Sequence, residues 1–382
     1  MIIGIDGSNV RSGGAITHLA GMLREANPDL HGFAKIILWS SRSTLERIPD
    51  SPWLVKVEQE LLSRSLAHRT WWQVFRLSRL AREAQCDLLF VPGGSYAGNF
   101  RPVVTMCRNL LPFEARELRR YGVSRRGIKF LALRQVQART FRHADGLIFL
   151  TEHARSVVMP ALGPIHAKTR LIPHGVDPRF SNKPREQKPI SAFSAANPFR
   201  IVYVSIVDLY KHQWHVAEAV AKLRGEGLPV ELELVGPAYG PALKILHEVI
   251  DRLDPHREYI HYSGSLAHEK LFDRYSQKDL CVFASSCENM PNILLEGMAS
   301  GLPIACSDRG PMHEVLGEGG LYFDPENSGE IADRLRQLIV SPDLRARLAV
   351  KSFERVKSYS WPRCANETFS FLSEVQSAFQ PA

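Results

Sequence analysis

No stretch of this sequence approaches the roughly 20 apolar residues that a bilayer-spanning helix requires. The N-terminal Met-Ile-Ile-Gly-Ile-Asp has no basic leader ahead of its apolar run, so a first strand is expected there rather than a signal peptide. The six cysteines form no C-x-x-C pair and no zinc-type spacing, which sets aside a disulfide framework and a structural metal. Cys281, Cys287 and Cys306 lie in apolar contexts and are expected to be free thiols of a reducing, cytoplasmic compartment. Also missing is any Asp-x-Asp, the pattern with which many sugar transferases hold a divalent cation on a diphosphate. There is no Walker A loop, no G-x-S-x-G and no H-E-x-x-H, so NTP hydrolysis, serine-esterase and zinc-protease chemistry lack their residues. Neither a cofactor nor a metal is expected.

Negative charge is the scarcer sign, with 40 acidic against 48 basic residues and a formal net charge of +8. The excess is concentrated between Phe113 and Arg142, where Arg116, Arg119, Arg120, Arg125, Arg126, Lys129, Arg134, Arg139 and Arg142 are opposed only by Glu114 and Glu117. Such a patch suits an anionic surface or substrate. No nucleic-acid-binding motif accompanies it, so no nucleic-acid partner is expected. From Glu58 to Gln85, Trp71, Trp72 and Phe75 are set among Arg64, Arg69, Arg76, Arg79 and Arg82, and an amphipathic helix at a membrane interface is one reading. A core helix with solvated arginines is the other.

What is present is a long alternation of short apolar runs and helical patterns. Ile2–Asp6, Lys35–Trp39, Asp87–Val91, Val103–Met106 and Gly146–Leu150 read as buried parallel strands. The polar, proline-bearing stretch 181–199 reads as a linker. The alternation then restarts with strands at Arg200–Val207, Val230–Gly236, Glu258–Tyr262, Asp279–Ala284, Pro303–Cys306 and Gly320–Phe323. Helices are expected at Gln213–Arg224, Pro241–Leu253, His268–Ser276, Pro291–Ser300 and Ser328–Val340. A chain of 382 residues is too long for one ordinary core. The expected organisation is an N-terminal Rossmann-like domain over 1–180, a linker over 181–199, a second such domain over 200–359 and a C-terminal helix over 360–382.

The segment Asp279–Pro325 carries most chemistry. Glu288 and Glu296 bracket a helix start; Pro291 suits the first helical position and Gly301 the helix end. Unpaired N–H groups near Asn292, Ile293 and Leu294 would attract a phosphate. Glu296, about one and a half turns into the helix, would instead accept hydrogen bonds from sugar hydroxyls. Phosphate-binding amides flanked by hydroxyl acceptors describe a nucleotide-sugar site.

Glu288, Pro291, Glu296, Gly301-Leu-Pro, Gly310, Glu314, Gly320 and Asp324-Pro325 together resemble the E-x7-E region of retaining glycosyltransferases of family 4, of the bacterial polysaccharide and O-antigen type. The resemblance implies the α/β GT-B architecture, two Rossmann-like domains facing a cleft, and metal-independent hexosyl transfer from a UDP- or GDP-sugar. Glu288 and Lys211 would be catalytic. Glu296, His212, the segment Asn289, Met290, Pro291, Asn292, Ile293, Leu294 and the loop glycines Gly13 and Gly14 would bind the donor. In the family's place for an arginine stands Val207, and where many members carry a histidine stands Cys107, followed by Arg108 and Asn109 as acceptor-side candidates. Pro92-Gly93-Gly94-Ser95-Tyr96 is a second loop expected on that side. Leu171-Ile-Pro-His174-Gly175-Val176-Asp177 resembles the family's I-P-N-G-V-D signature and is expected at an interdomain hinge. The resemblance further implies a glycan or lipid-linked acceptor in surface polysaccharide or lipopolysaccharide synthesis, on the cytoplasmic face of the inner membrane. A GT-B-fold sugar-nucleotide epimerase and a non-catalytic nucleotide-sugar or membrane scaffold are the alternatives.

Overall fold

The computed structural model describes residues 1–11 and 13–380. Ser12 of the glycine loop and the last two residues of the expected C-terminal segment lie outside the described residues. The chain forms two compact units. One comprises residues 1–118, 122–175 and 359 onward; the other comprises 119–121 and 176–358. The long division therefore falls between Gly175 and Val176, inside the I-P-H-G-V-D signature.

The first unit is built on seven strands: β1 Ile2–Asp6, β2 Lys35–Ser40, β3 Leu54–Glu58, β4 Leu88–Val91, β5 Val103–Met106, β6 Gly146–Phe149 and β7 Lys168–Leu171. They run parallel in the order β3-β2-β1-β4-β5-β6-β7. The central strands are buried on both faces, which is why they read as continuous apolar runs. The edge strands β3 (LVKVE) and β7 (KTRL) were not expected. Each is only partly covered, so each keeps polar residues that hide it among loops.

The second unit has β8 Phe199–Val204, β9 Val230–Val235, β10 Ile260–Tyr262, β11 Leu280–Phe283, β12 Ile304–Ser307 and β13 Gly320–Phe323, in the order β10-β9-β8-β11-β12-β13. In both units the order reverses beside the first strand, between β1 and β4 and between β8 and β11. A parallel sheet leaves a crevice at such a reversal, outside the carboxyl ends of the strands. An unexpected helix, Pro342–Val356, packs in this unit. Its signal was present, a Ser341 cap followed by proline at the first position.

The C-terminal helix Trp361–Ala378 belongs to the first unit. Trp361 lies so close to Gly21 and Gly175 that a Cβ at either would sit within 2.5 Å of it. Phe371 and Val375 fit against Gly146 of β6 in the same way. Large side chains on the last helix and glycines on the facing elements thus fix its seat.

The expected amphipathic helix over Glu58–Gln85 is different in form. Glu58 ends β3, a 3₁₀ turn covers Glu60–Ser63, and the helix begins at Leu66. It carries a π-helical stretch at Gln73–Leu77 before ending at Glu83. Trp72 is fully buried and its Nε1 donates to Gln59 Oε1 at 3.0 Å. Trp71 and Phe75 remain exposed, at 45% and 62%. The π-stretch places Gln73 inward, where its amide donates to Ser8 Oγ and the Ser95 carbonyl, both at 3.0 Å.

Candidate functional site

The crevice of the second sheet is lined by the two loops that the sequence singled out. The loop after β8 brings Lys211 and His212; the loop after β11 brings Glu288, Asn289, Met290 and Pro291. Lys211 is 6% exposed and forms an ion pair with Glu288. Its ammonium also lies 5.0 Å from the Tyr210 ring and 5.2 Å from the Phe283 ring, so the charge is held on aromatic faces as well. Tyr203 OH donates to the Lys211 carbonyl at 2.8 Å and fixes the backbone there. His212 is fully buried with a φ of 53°, the residue that turns the loop into the helix Gln213–Gly225. Its Nε2 lies 2.9 Å from Ser286 Oγ, and its ring stacks on His215 at 5.4 Å.

The helix behind Glu288 starts one residue later than expected. Pro291 is the N-cap and Asn292–Ala299 is helical, because φ of −81° and ψ of 109° at Pro291 lie outside the helical region. The Leu294 amide already donates to the Pro291 carbonyl at 3.1 Å, so the available first-turn donors are those of Asn292 and Ile293. Gly301 takes φ of 67°, and a Cβ there would be 2.4 Å from the Asn182 carbonyl oxygen. Only glycine lets the incoming linker cross the end of this helix.

Glu296 is 4% exposed. His268 Nε2 lies 2.9 Å from its Oε1, while its Oε2 is buried without a hydrogen-bond partner among the described residues. Burial raises the Glu296 carboxyl above its ordinary value, and the His268 hydrogen bond and charge act against that. The same hydrogen bond raises the His268 imidazole. The sequence marks His268 only as the start of a helix. It opens a short 3₁₀ turn, and its ring packs 5.3 Å from that of Phe180. No spacing in the sequence links it to Glu296, since the two meet only through the fold.

In the first unit, Gly13 caps the helix Gly14–Arg24 with φ of 55° and open space where a Cβ would be. Arg108, after β5, donates to the carbonyls of Gly14 and Ala15 at 2.5 and 3.2 Å, so it braces the glycine loop. Burial lowers its guanidinium to about 10. Asn109 Oδ1 accepts from the Leu111 amide at 3.2 Å, and Cys107 is fully buried. His174 packs against a residue that the sequence did not flag: its Nδ1 lies 2.7 Å from Nδ1 of His18, and both rings are buried against Trp361. Burial lowers His174 to about 3 and holds His18 well below the ordinary range, so one ring donates to the other and both are neutral. All six cysteines are buried and none is in a disulfide. Among the described residues no cluster of three or more His, Cys, Asp or Glu is placed to hold a metal ion.

Two family models match the chain in succession. Residues 12–180 match Glycosyltransferase Family 4, and residues 184–355 match Glycosyl transferases group 1. Relatives in sequence include MMP alpha-(1->4)-mannosyltransferase of Mycolicibacterium hassiacum, 27% identical over 63% of this chain and 57% of that protein. O-antigen chain mannosyltransferase B of Escherichia coli is 26% identical over 33% of each chain. The chain thus spans from one third to little more than half of these relatives' length. In structure, sucrose-phosphate synthase from Thermosynechococcus elongatus superposes with a TM-score of 0.78 at 17% identity, over 99% of this chain and 100% of that one. Anabaena HepE, solved in complex with UDP-glucose, gives 0.67 at 19% identity, over 99% and 100%. At those identities the structural likeness establishes the shared fold, two doubly wound domains of GT-B type.

Proposed function

We propose that this chain, a GT-B glycosyltransferase by the family of both its domains, transfers a hexose from a nucleoside diphosphate sugar with retention of configuration and without a metal. The observation that carries the reading is Glu296. A buried carboxylate with one oxygen bonded to His268 and the other unpartnered is costly unless a ligand completes it. Ribose hydroxyls supply that kind of donor, and the Asn292 and Ile293 amides in front of it suit the attached diphosphate. The solved complexes of HepE with UDP and with UDP-glucose lend support for the donor class.

In this reading the donor diphosphate draws Lys211 toward it and Glu288 receives the sugar's hydroxyls. The bond from the anomeric carbon to the diphosphate breaks as the acceptor oxygen bonds the same face. The acceptor proton passes to a donor phosphate oxygen, leaving the glycoside and a nucleoside diphosphate. Lys211 and the helix amides balance the charge that develops on the leaving group. Gly13 and Gly14 would offer main-chain amides to the donor. Asn109 would meet acceptor hydroxyls, and Arg108 serves by positioning the glycine loop.

The acceptor we propose is a glycan or lipid-linked saccharide of bacterial surface polysaccharide synthesis, met at the cytoplasmic face of the membrane. The similarity to an O-antigen mannosyltransferase supports it, as do the exposed Trp71 and Phe75 on an arginine-rich helix. No helix of the described residues is long and apolar enough to cross a membrane. A thermal-shift panel of UDP-, GDP-, ADP- and dTDP-sugars tests the donor claim, since a ligand that binds only the native state raises its melting temperature. A shift with one base series is expected; no shift with any of them removes the reading.

A further inference from the structure

The crevice of the first sheet holds a cavity of about 780 Å³, within the size range of small-molecule sites. Its floor is the strand ends at the β1–β4 reversal, where Asn9, Ser95 and Asn109 present polar groups. Its walls are the helices Leu66–Trp72 and Arg125–His143, which contribute Leu66, Ala132, Leu133 and Val136. Leu66 and Val136 are 54% and 46% exposed, although both line the cavity. Isolated exposed apolar residues are ordinary; here they form the wall of a recess.

Two further features point to a ligand. The cavity is lined by four basic or imidazole side chains, Arg101, Lys129, Arg139 and His143, and by no aspartate or glutamate. Arg101 is paired with Asp145, but Lys129 and Arg139 form no ion pair among the described residues. In addition Gln137, 3% exposed, leaves its Oε1 without a hydrogen-bond partner among the described residues while lining the same space. A buried amide oxygen of that kind calls for a hydroxyl or amide donor.

We infer that this cavity takes an anionic amphiphile, with a hydrocarbon chain on the Leu66–Val136 wall, a phosphate held by Lys129 and Arg139, and hydroxyls beyond the phosphate reaching Gln137. That is the chemistry of a lipid-phosphate-linked saccharide. The inference rests on the transferase reading only for the claim that this ligand is the acceptor. An apolar wall alone would suit any hydrophobe. Unpaired cations with no opposing acid select one bearing negative charge.

Calorimetry of the full chain with geranylgeranyl phosphate below its micellar concentration tests this, with geranylgeraniol and inorganic phosphate as controls. One-to-one binding of the prenyl phosphate is expected, with the alcohol at least tenfold weaker and phosphate alone not measurable. Ala132 and Ala97 are both exposed lining residues, so Ala132→Trp or Ala97→Trp fills the recess without disturbing the core. Each should weaken binding tenfold or more with the melting temperature unchanged, as should Lys129→Glu with Arg139→Glu. Unchanged affinity in the tryptophan variants overturns the inference. So does equal binding of inorganic phosphate, or an affinity that appears only with liposomes and ignores Ala132→Trp. Nucleotide-sugar binding is measured in the same samples. Its failure with amphiphile binding intact removes the transferase reading and leaves the cavity assignment standing.

Discussion

His268 holds one oxygen of Glu296 at 2.9 Å and leaves the other without a hydrogen-bond partner among the described residues. That division of labour makes Glu296 half structural and half available. The carboxylate is anchored by an element from across the crevice, so its orientation is set before any ligand arrives.

Removing the carboxylate tests the available half. Glu296→Ala is expected to lower donor affinity about ten- to a hundredfold, the worth of roughly 1.5–3 kcal/mol for a charge-assisted hydrogen bond. Titration calorimetry reads this directly. Unaltered affinity in a folded variant would take Glu296 out of the site.

The structural half has a pH signature. Burial raises the Glu296 carboxyl, and His268 opposes that rise. The ionised form is the one that accepts ribose hydroxyls, so donor affinity falls as pH drops through the raised carboxyl value. In His268→Ala the opposing influence is lost and the fall should begin at higher pH. Donor dissociation constants measured from pH 5 to 8, about the range where a raised carboxyl and a histidine titrate, distinguish the two proteins. Superimposable profiles would mean that His268 does not tune the carboxylate.

Transfer should persist in excess EDTA. The proposal gives the leaving diphosphate to Lys211 and the helix amides rather than to a cation. Loss of transfer on chelation, restored by magnesium or manganese, would overturn it.

The neutral pair His18 and His174 predicts acid sensitivity of the fold. Both imidazoles are depressed in the folded state, His174 to about 3, so below the ordinary histidine value the unfolded chain binds protons that the native chain refuses. Stability is therefore complete above that value and declines as pH falls below about 6.5, by up to roughly 1.4 kcal/mol per pH unit for each histidine. His174→Asn retains a side-chain amide in place of one ring and should flatten that decline. Urea unfolding at pH 7 and 5 measures it, and an identical slope in the variant would exclude the pair as its cause.

Binding to anionic membranes should follow the exposed face of the arginine-rich helix. Each basic residue near the surface contributes roughly 1 kcal/mol, and the attraction fades with salt. Trp71→Ser with Phe75→Ser should weaken co-sedimentation with anionic liposomes. Equal, negligible binding to neutral and anionic vesicles at low salt would end the membrane proposal and leave the donor site untouched.

Much of this protein is written locally. Parallel strands buried on both faces become apolar runs, so the central strands of both sheets were legible within a residue or two, except that β8 ends at Val204, three residues before the expected Val207. The helix behind Glu288 was legible from its punctuation, because Pro291 and Gly301 mark ends by backbone geometry alone. Glu288 and Lys211 could be singled out from motif and position, though their ion pair could not. Edge strands β3 and β7 escaped, because a strand with one neighbour need not be apolar. Between an interfacial and a core helix over Glu58–Gln85 the sequence left the choice open, since helical spacing does not say which face meets the core; Trp72 turns inward while Trp71 and Phe75 stay exposed. The pairings Glu296 with His268 and His18 with His174 have no signature in the chain, being separated by 28 and 156 residues. The same holds for Gln137, whose Oε1 has no hydrogen-bond partner among the described residues, and for the cavity it lines. Periodicity and caps are properties of neighbouring residues, and the sequence by itself determined those. Which buried polar atoms find partners, and which are left for a ligand, depends on elements brought together from distant parts of the chain, and only the tertiary structure decided it.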